Sequence, residues 1–478
     1  MTQVSDPTRE TATAPMAGGL AVGGPTAPSS FTLPIDGPSV IANDRAHVFH
    51  PWAMQQGVRQ PVARAEGSRF WDFDGREFID FSSGLVHANL GYGHPGMIAA
   101  IQEQVGRIAT FAPGFAMDVR SEAARLIAER APEGLDVVFF TNGGAEATEN
   151  AMRMARLATG RHKVLATYRS YHGGTAGAVT MTGEPRRIPN EPGIPGVVHF
   201  WGPYPYRSVF HSDSPEQESE RALAHLRDTI MVEGPQAIAA IILESVVGTN
   251  GILVPPDGYL AGVREICDEH GILLIADEVM AGFGRCGEWF AIQHWGVRPD
   301  LITFAKGVNS GYVPLGGVIL SHEVAAVFAQ RVYPGGLTYS GHPLACGSAV
   351  ASIQIYEADG VLEHARMLGR DVIGPGLAEL AERHPSIGDV RGLGVFWAVE
   401  LVRDRHTREP LVPFNASGEA ARPMAEFAAA CKARGLWPFV HYNRTHVVPP
   451  IVTSPADLRE GLARLDEALT VADGYVRS

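Results

Sequence analysis

At 478 residues the chain is longer than one ordinary domain, and 45% apolar residues suffice to fill a sizeable core. With 39 basic against 52 acidic residues the formal net charge is −13, which argues against nucleic acid or an anionic membrane as the main partner. The longest apolar stretch, 237–243, stops at Glu244, far short of the roughly 18–20 residues a membrane span needs.

Four cysteines without CxxC spacing make neither a disulfide framework nor a zinc site. With no signal-peptide pattern at the N-terminus, the expected setting is the reducing cytoplasm, with no bound metal. Lysine is scarce: only Lys163, Lys306 and Lys432 are available to any chemistry that needs an amine.

In chain order, residues 1–38 are rich in Thr, Ala, Pro, Gly and Ser and lack periodicity, which predicts a disordered tail, with order beginning near Asn43. Asp74-Gly75 between two β-prone runs predicts a hairpin closed by a type I′ turn. Residues 39–85 are expected to join a small domain through that antiparallel hairpin. Gly91-Tyr92-Gly93-His94-Pro95-Gly96 satisfies G-x-G-x-x-G, but no good strand precedes it and Pro95 falls where the helix should open, so it reads as a turn.

From residue 86 to 345 short β-rich runs recur at 137–140, 164–167, 197–201, 238–243, 272–276, 301–304 and 317–320, with helical patterns between several of them. This predicts an α/β fold with a mostly parallel central sheet, whose ligands gather at the carboxyl ends of the strands. Residues 346–478 mix strands near 395–402 and 447–448 with helices near 420–434 and from Pro455, and read as a smaller C-terminal α+β domain.

Four features fall at strand ends. Thr141-Asn142-Gly143-Gly144-Ala145 joins a strand to a helix, and a glycine-rich helix N-terminus suits a phosphate. Asp277-Glu278 ends an apolar strand, where carboxylates are costly unless they meet a cation or donors. Lys306 ends another, where burial should depress its pKa and make the amine nucleophilic. Tyr171-His172-Gly173 follows the 164–167 strand, and an aromatic there can stack on a planar ring. A phosphate cradle, a carboxylate for a ring nitrogen, an aromatic lid and an amine for an aldehyde are what pyridoxal 5′-phosphate requires.

With Asn89-Leu90-Gly91-Tyr92-Gly93-His94-Pro95, Glu244 after Leu243, Gly282-Phe283-Gly284-Arg285, Phe304-Ala305-Lys306-Gly307, Thr338-Tyr339-Ser340-Gly341-His342-Pro343 and Arg391-Gly392-Leu393-Gly394, the chain from about His50 onward resembles the class III aminotransferases of fold type I. The resemblance implies that Lys306 is the Schiff-base lysine and moves the proton, and that Asp277 pairs with the pyridinium nitrogen. It implies that Gly143, Gly144 and Ala145 hold the phosphate, that Tyr171 and Val279 cover the two ring faces, and that His172 and Glu244 belong to the cofactor site. Thr338 would reach the phosphate of a neighbouring subunit, which implies a homodimer with shared sites, or a tetramer that contains it.

The implied reaction is ping-pong transamination from a small-molecule amine to a keto acid. Similarity is greatest to the taurine–pyruvate branch of the ω-transaminases, which favours an ω-amino acid or taurine-like donor and pyruvate. Other donors, such as 4-aminobutyrate or a diamine, and an aminomutase or decarboxylase on the same fold remain open, as does a nicotinamide-dependent dehydrogenase. On the substrate side, Val86 stands where some ω-aminotransferases have Trp, and Arg444 is the candidate for the substrate's acidic group.

Overall fold

The computed structural model describes Leu33, residues 36–57 and residues 59–477. Nearly all of the predicted tail lies outside them. Residues up to Pro61 and from Val62 onward form two units. The first holds the helix Gly37–His47, six residues ahead of the expected onset of order: the Asp36 carboxylate accepts from Ser39 N at 2.8 Å, and Pro38 fits the first turn.

The second unit is organised around a seven-stranded sheet. Its spatial order is Leu135–Thr141, Gly316–Ser321, Leu301–Phe304, Leu273–Asp277, Ile238–Glu244, Lys163–Thr167 and Val197–Phe200. Gly316–Ser321 runs antiparallel to both its neighbours; the other pairings are parallel. Helices cover both faces, so the strands are buried on two sides and read as unbroken apolar runs. Alternation sorts their side chains: Ala240 and Ile242 pack with Ala151, Met154 and Ala155 of helix Gly144–Thr159, whereas Ile241 and Leu243 pack with Leu226, Leu260 and Val263 of helices Pro215–Glu233 and Tyr259–His270. Each such side chain contributes about 1.5–3 kcal/mol on burial.

The C-terminal part carries an antiparallel sheet of strands Ile387–Leu393, Phe396–Asp404, Arg444–Val447 and Phe439–His441, with Glu409–Pro410 paired beside the second. Its helices include Arg422–Ala433 and Pro455–Asp473. The N-terminal strands Arg64–Glu66, Arg69–Trp71 and Glu77–Asp80 share a sheet with Leu436–Trp437. Their hairpin is not closed by a type I′ turn. Gly75 has φ 80° but Asp74 does not enter the left-handed region; the wider loop instead hangs on the Asp72 carboxylate, which accepts from Asp74 N and Arg76 N. Gly91 and Gly93, both with positive φ, form the turn ahead of helix Pro95–Arg107.

One buried cation ties distant segments together. Arg285 is fully buried; Nη1 donates to the carbonyls of Val395 (3.1 Å) and Pro449 (2.7 Å), and Nη2 to Ser83 Oγ (3.1 Å) and Asn89 Oδ1 (2.5 Å). Asn89 Nδ2 in turn donates to Phe283 O at 2.9 Å. Arg285→Ala should lower stability by about 3 kcal/mol, because it strands several buried acceptors at once; a lower urea midpoint at unchanged m value is the expected reading.

Candidate active site

Strand register assembles the site. Glu244 is paired with Asp277, and Asp277 with Thr303, on three adjacent parallel strands, so their carboxyl ends lie side by side and Lys306 follows three residues beyond Thr303. The cleft above them has a volume of about 400 Å³, the size of a small-molecule site. Gly143, Gly144, Ala145, Tyr171, His172, Glu244, Asp277, Val279 and Lys306 all line it.

Lys306 sits at φ 46°, and burial pushes its ammonium down to about 8 while Asp277 and Glu244 oppose the shift. Asp277 Oδ2 accepts from His172 Nδ1 at 2.6 Å, and its Oδ1 accepts from Val279 N at 3.0 Å. That pairing places the imidazole proton on Nδ1 and orients the carboxylate. Glu244 accepts from Tyr171 N (2.9 Å) and Gly248 N (2.7 Å), and burial raises its carboxyl to about 7. Glu278 turns away from the cleft and accepts from Ala291 N and Ile292 N; burial raises it to about 7 as well. The Arg186 guanidinium lies 3.9 Å from the centroid of the Tyr171 ring.

Helix Gly144–Thr159 opens at the cleft with Gly143 as a bare N-cap, so no side chain covers its first N–H groups. A Cβ on Gly144 would lie 2.6 Å from Val279 Cγ1, so glycine is what allows Val279 and the helix start to meet. A bare anion-binding helix end, a hydrogen-bonded carboxylate and a buried amine on one cleft fit pyridoxal phosphate. The other two lysines are engaged elsewhere: Lys163 Nζ lies 2.7 Å from Glu233 Oε2, and Lys432 Nζ lies 4.3 Å from the Trp437 ring centroid.

Three of the expected residues stand off the cleft. Val86 is buried among Val246, Ile252, Ala281 and Phe396, because a left-handed backbone (φ 58°) turns it into the core; its neighbours Leu85 and His87 line the cleft instead. Arg444 is 2% exposed and lies cross-strand from Glu400, within a sheet face where Glu400 also meets Arg391 (2.9 Å), Arg207 and Tyr204. It does not reach the cleft wall, since strand alternation aims it at that buried carboxylate. Thr338 is exposed and does not line the cleft of its own chain.

Sequence reading missed Leu85, His87, Thr249, Met280 and Val313, which also line the cleft. Leu85 and His87 flank Val86, Met280 follows Val279, Val313 lies in the loop after Lys306 and Thr249 in the loop after Glu244; that adjacency was the signal available for them.

The family profile described as aminotransferase class III matches residues 53–469. The 5-aminovalerate aminotransferase DavT of Pseudomonas aeruginosa is 37% identical over 431 residues, 87% of this chain and 95% of that protein. The taurine–pyruvate aminotransferase of Bilophila wadsworthia is 33% identical over 454 residues, 92% of this chain and 98% of that protein. The crystal structure of taurine:2-oxoglutarate aminotransferase from Bifidobacterium kashiwanohense, solved with pyridoxal phosphate and glutamate, is similar at a TM-score of 0.90 and 39% identity, covering 93% of this chain and all of that one.

Asp277→Asn should lower kcat about 10²–10³-fold, since it removes a buried charge aimed at the reacting system and the acceptor of His172; steady-state kinetics at saturating cofactor checks this. Glu278, raised when folded, binds its proton more tightly in the folded chain. Its contribution to stability is therefore full below the ordinary value of 4.5 and is lost as pH rises through about 7. Between pH 5 and 8 the melting temperature of Glu278→Gln should fall less steeply than that of the wild type.

Proposed function

The chain belongs to the class III aminotransferases of fold type I, enzymes that use pyridoxal phosphate, and we propose that it transfers an amino group from an ω-amino acid or taurine-like donor to a keto acid, pyruvate being favoured. The observation that carries the chemistry is Lys306, a buried amine at a strand end whose pKa of about 8 leaves on the order of a hundredfold more neutral amine near pH 7.5 than an ordinary lysine would have. The taurine donor is supported by relatives of that specificity among both sequences and structures. The similarity to DavT keeps longer ω-amino acids in view, and the structural neighbour makes 2-oxoglutarate the second acceptor to test.

When bound, pyridoxal phosphate supplies the electron sink. The N–H groups of Gly144 and Ala145 would hold its phosphate, Asp277 would accept from the ring nitrogen, and Tyr171 and Val279 would cover the ring. His172 holds Asp277, and Glu244 holds the backbone of Tyr171. Lys306 Nζ would take the proton from the substrate carbon that bears the amine and return it on the far side of the amine nitrogen; in the second half of the cycle it would work in reverse. Thr338 reaches the phosphate of a neighbouring subunit, and the enzyme works as a homodimer with shared sites, or as a tetramer built from it. Four buried, unpaired cysteines support a cytoplasmic location.

The test is the visible spectrum of the holoenzyme with taurine, β-alanine, 4-aminobutyrate and putrescine in turn, followed by pyruvate or 2-oxoglutarate. A band that fades with taurine or β-alanine and returns with pyruvate is the expected result. Fading with putrescine alone, or product formation that needs no keto acid, would overturn the donor or the reaction class. Lys306→Ala should reduce turnover to background with the far-ultraviolet circular dichroism retained.

A further inference from the structure

Residues 83–87 hold a backbone that the sequence does not favour. Ser83 (φ 41°), Gly84 (φ 70°) and Val86 (φ 58°) all occupy the left-handed region, which for a β-branched residue costs on the order of 1–3 kcal/mol. The surroundings enforce it. The Asp80 carboxylate accepts from Ser82 N (2.7 Å), Ser82 Oγ (2.6 Å) and Gly84 N (3.0 Å); Ser83 Oγ donates to Val448 O at 2.8 Å; and the Val86 side chain is packed in the core. The consequence is that residue 86 faces inward while Leu85 and His87, on either side, line the cleft.

The His87 imidazole occupies a slot made by two glycines. A Cβ on Gly84 would lie 2.3 Å from its Cε1, and a Cβ on Gly311 would lie 2.4 Å from its Cδ2. Gly311 has φ 71° and belongs to the loop that begins at Lys306. Leu85 N donates to His87 Nδ1 at 3.2 Å, which leaves the ring proton on Nε2. Burial, and then the positive charge of Lys306, hold the imidazole below its ordinary pKa, so it is a neutral donor near neutral pH.

The cleft's other polar side chains outside the cofactor-holding set are largely committed. Asn142 Nδ2 donates to Glu146, and Asn309 Nδ2 donates to Val313 O and Ser348 Oγ while its Oδ1 accepts from Gly311 N. Leu85, Met280, Val313, Pro314 and Leu315 supply an apolar wall.

We propose that His87 is the specificity residue that recognises the substrate's oxyanion, its Nε2–H donating to a carboxylate or sulfonate oxygen of a substrate held over Lys306. This rests on the reading of the protein as a transaminase of acidic amines, and it fills the place that Arg444, buried cross-strand from Glu400 and off the cleft, does not. A hydrogen bond to a charged acceptor gives the size of the effect.

The experiment compares the holoenzyme with His87→Leu, His87→Gln and Thr249→Val. In each, kcat/KM is measured for taurine, for β-alanine and for propylamine, which matches them in reach but lacks the anion. Affinity for the unreactive acids propane-1-sulfonate and propionate is measured by calorimetry. His87→Leu should reduce the preference for the acidic amines over propylamine about ten- to a hundredfold and weaken binding of the unreactive acids by a similar factor. His87→Gln, which offers an N–H at a similar distance from the backbone, should restore most of both. A larger effect on taurine and propane-1-sulfonate assigns the site to sulfonates, and a larger effect on β-alanine and propionate to carboxylates; either supports the proposal. If the wild type prefers acidic amines and His87→Leu keeps that preference, or if Thr249→Val alone abolishes it, the His87 assignment falls. If the wild type uses propylamine as well as the acids, the acidic-substrate reading falls with it.

Discussion

Three carboxyls, Glu244, Asp277 and Glu278, are buried at the carboxyl ends of neighbouring strands with the half-buried Lys306 beside them, and the architecture around them consists largely of what makes this tolerable. A buried charge without a partner would cost several kcal/mol. Asp277 is met by His172, Glu244 and Glu278 by pairs of backbone N–H groups, and Lys306 by the two carboxylates whose fields oppose its loss of charge. These partners come from several stretches of chain: residues 171–172, Gly248 and residues 291–292. The strands must therefore hold their register, and the loops beyond them their course, for the groups to be compensated. That demand also tunes the groups: desolvation lowers Lys306 to about 8, so a larger share of it is neutral near physiological pH than of an ordinary lysine, and raises Glu244 and Glu278 to about 7.

A second buried electrostatic centre lies on the C-terminal sheet. Although burial pushes Glu400 up, Arg391 and Arg207 bring it down to about 2, and it also accepts from Tyr204 and from Asn443. The loop after strand Ile238–Glu244 runs between the two centres. Its Gly248 N donates to Glu244, its Thr249 lines the cleft, and its Gly251 carbonyl accepts from Arg391 Nε at 2.8 Å. Position in the C-terminal sheet is thereby coupled to position in the cleft through the four residues 248–251. Arg285 does the same on another side, by joining residues 83–89 to the segments at 395 and 449.

Much of the central sheet was legible because its strands are buried on both faces: runs such as 238–243 and 272–276 are apolar without interruption and end at Glu244 and Asp277. Gly160, left-handed at φ 70°, stops its helix where a glycine is expected to. The strand-end groups that face the cofactor were legible for the same reason, since a Lys or Asp closing such a run has no solvent-exposed alternative. The onset of the N-terminal helix was missed because its start signal, Asp36 with Pro38 behind it, is short and embedded in a low-complexity stretch. The substrate-side wall was not legible. Leu85, His87, Thr249 and Val313 come from three separate segments with no periodicity to mark them, and the left-handed turn at Val86 puts its own side chain in the core and its two neighbours on the cleft.

By itself the sequence determined the fold class and the family, because these depend on hydrophobic runs and on the short motifs that close each run, and both are local. Only the tertiary structure decided that His172 orients Asp277, that Arg444 is buried in the C-terminal sheet off the cleft, and that His87 rather than Val86 meets the cleft. Those outcomes rest on strand register, on cross-strand alternation and on a backbone twist sustained by contacts from residues far away in the chain, and no local pattern of residue types encodes them.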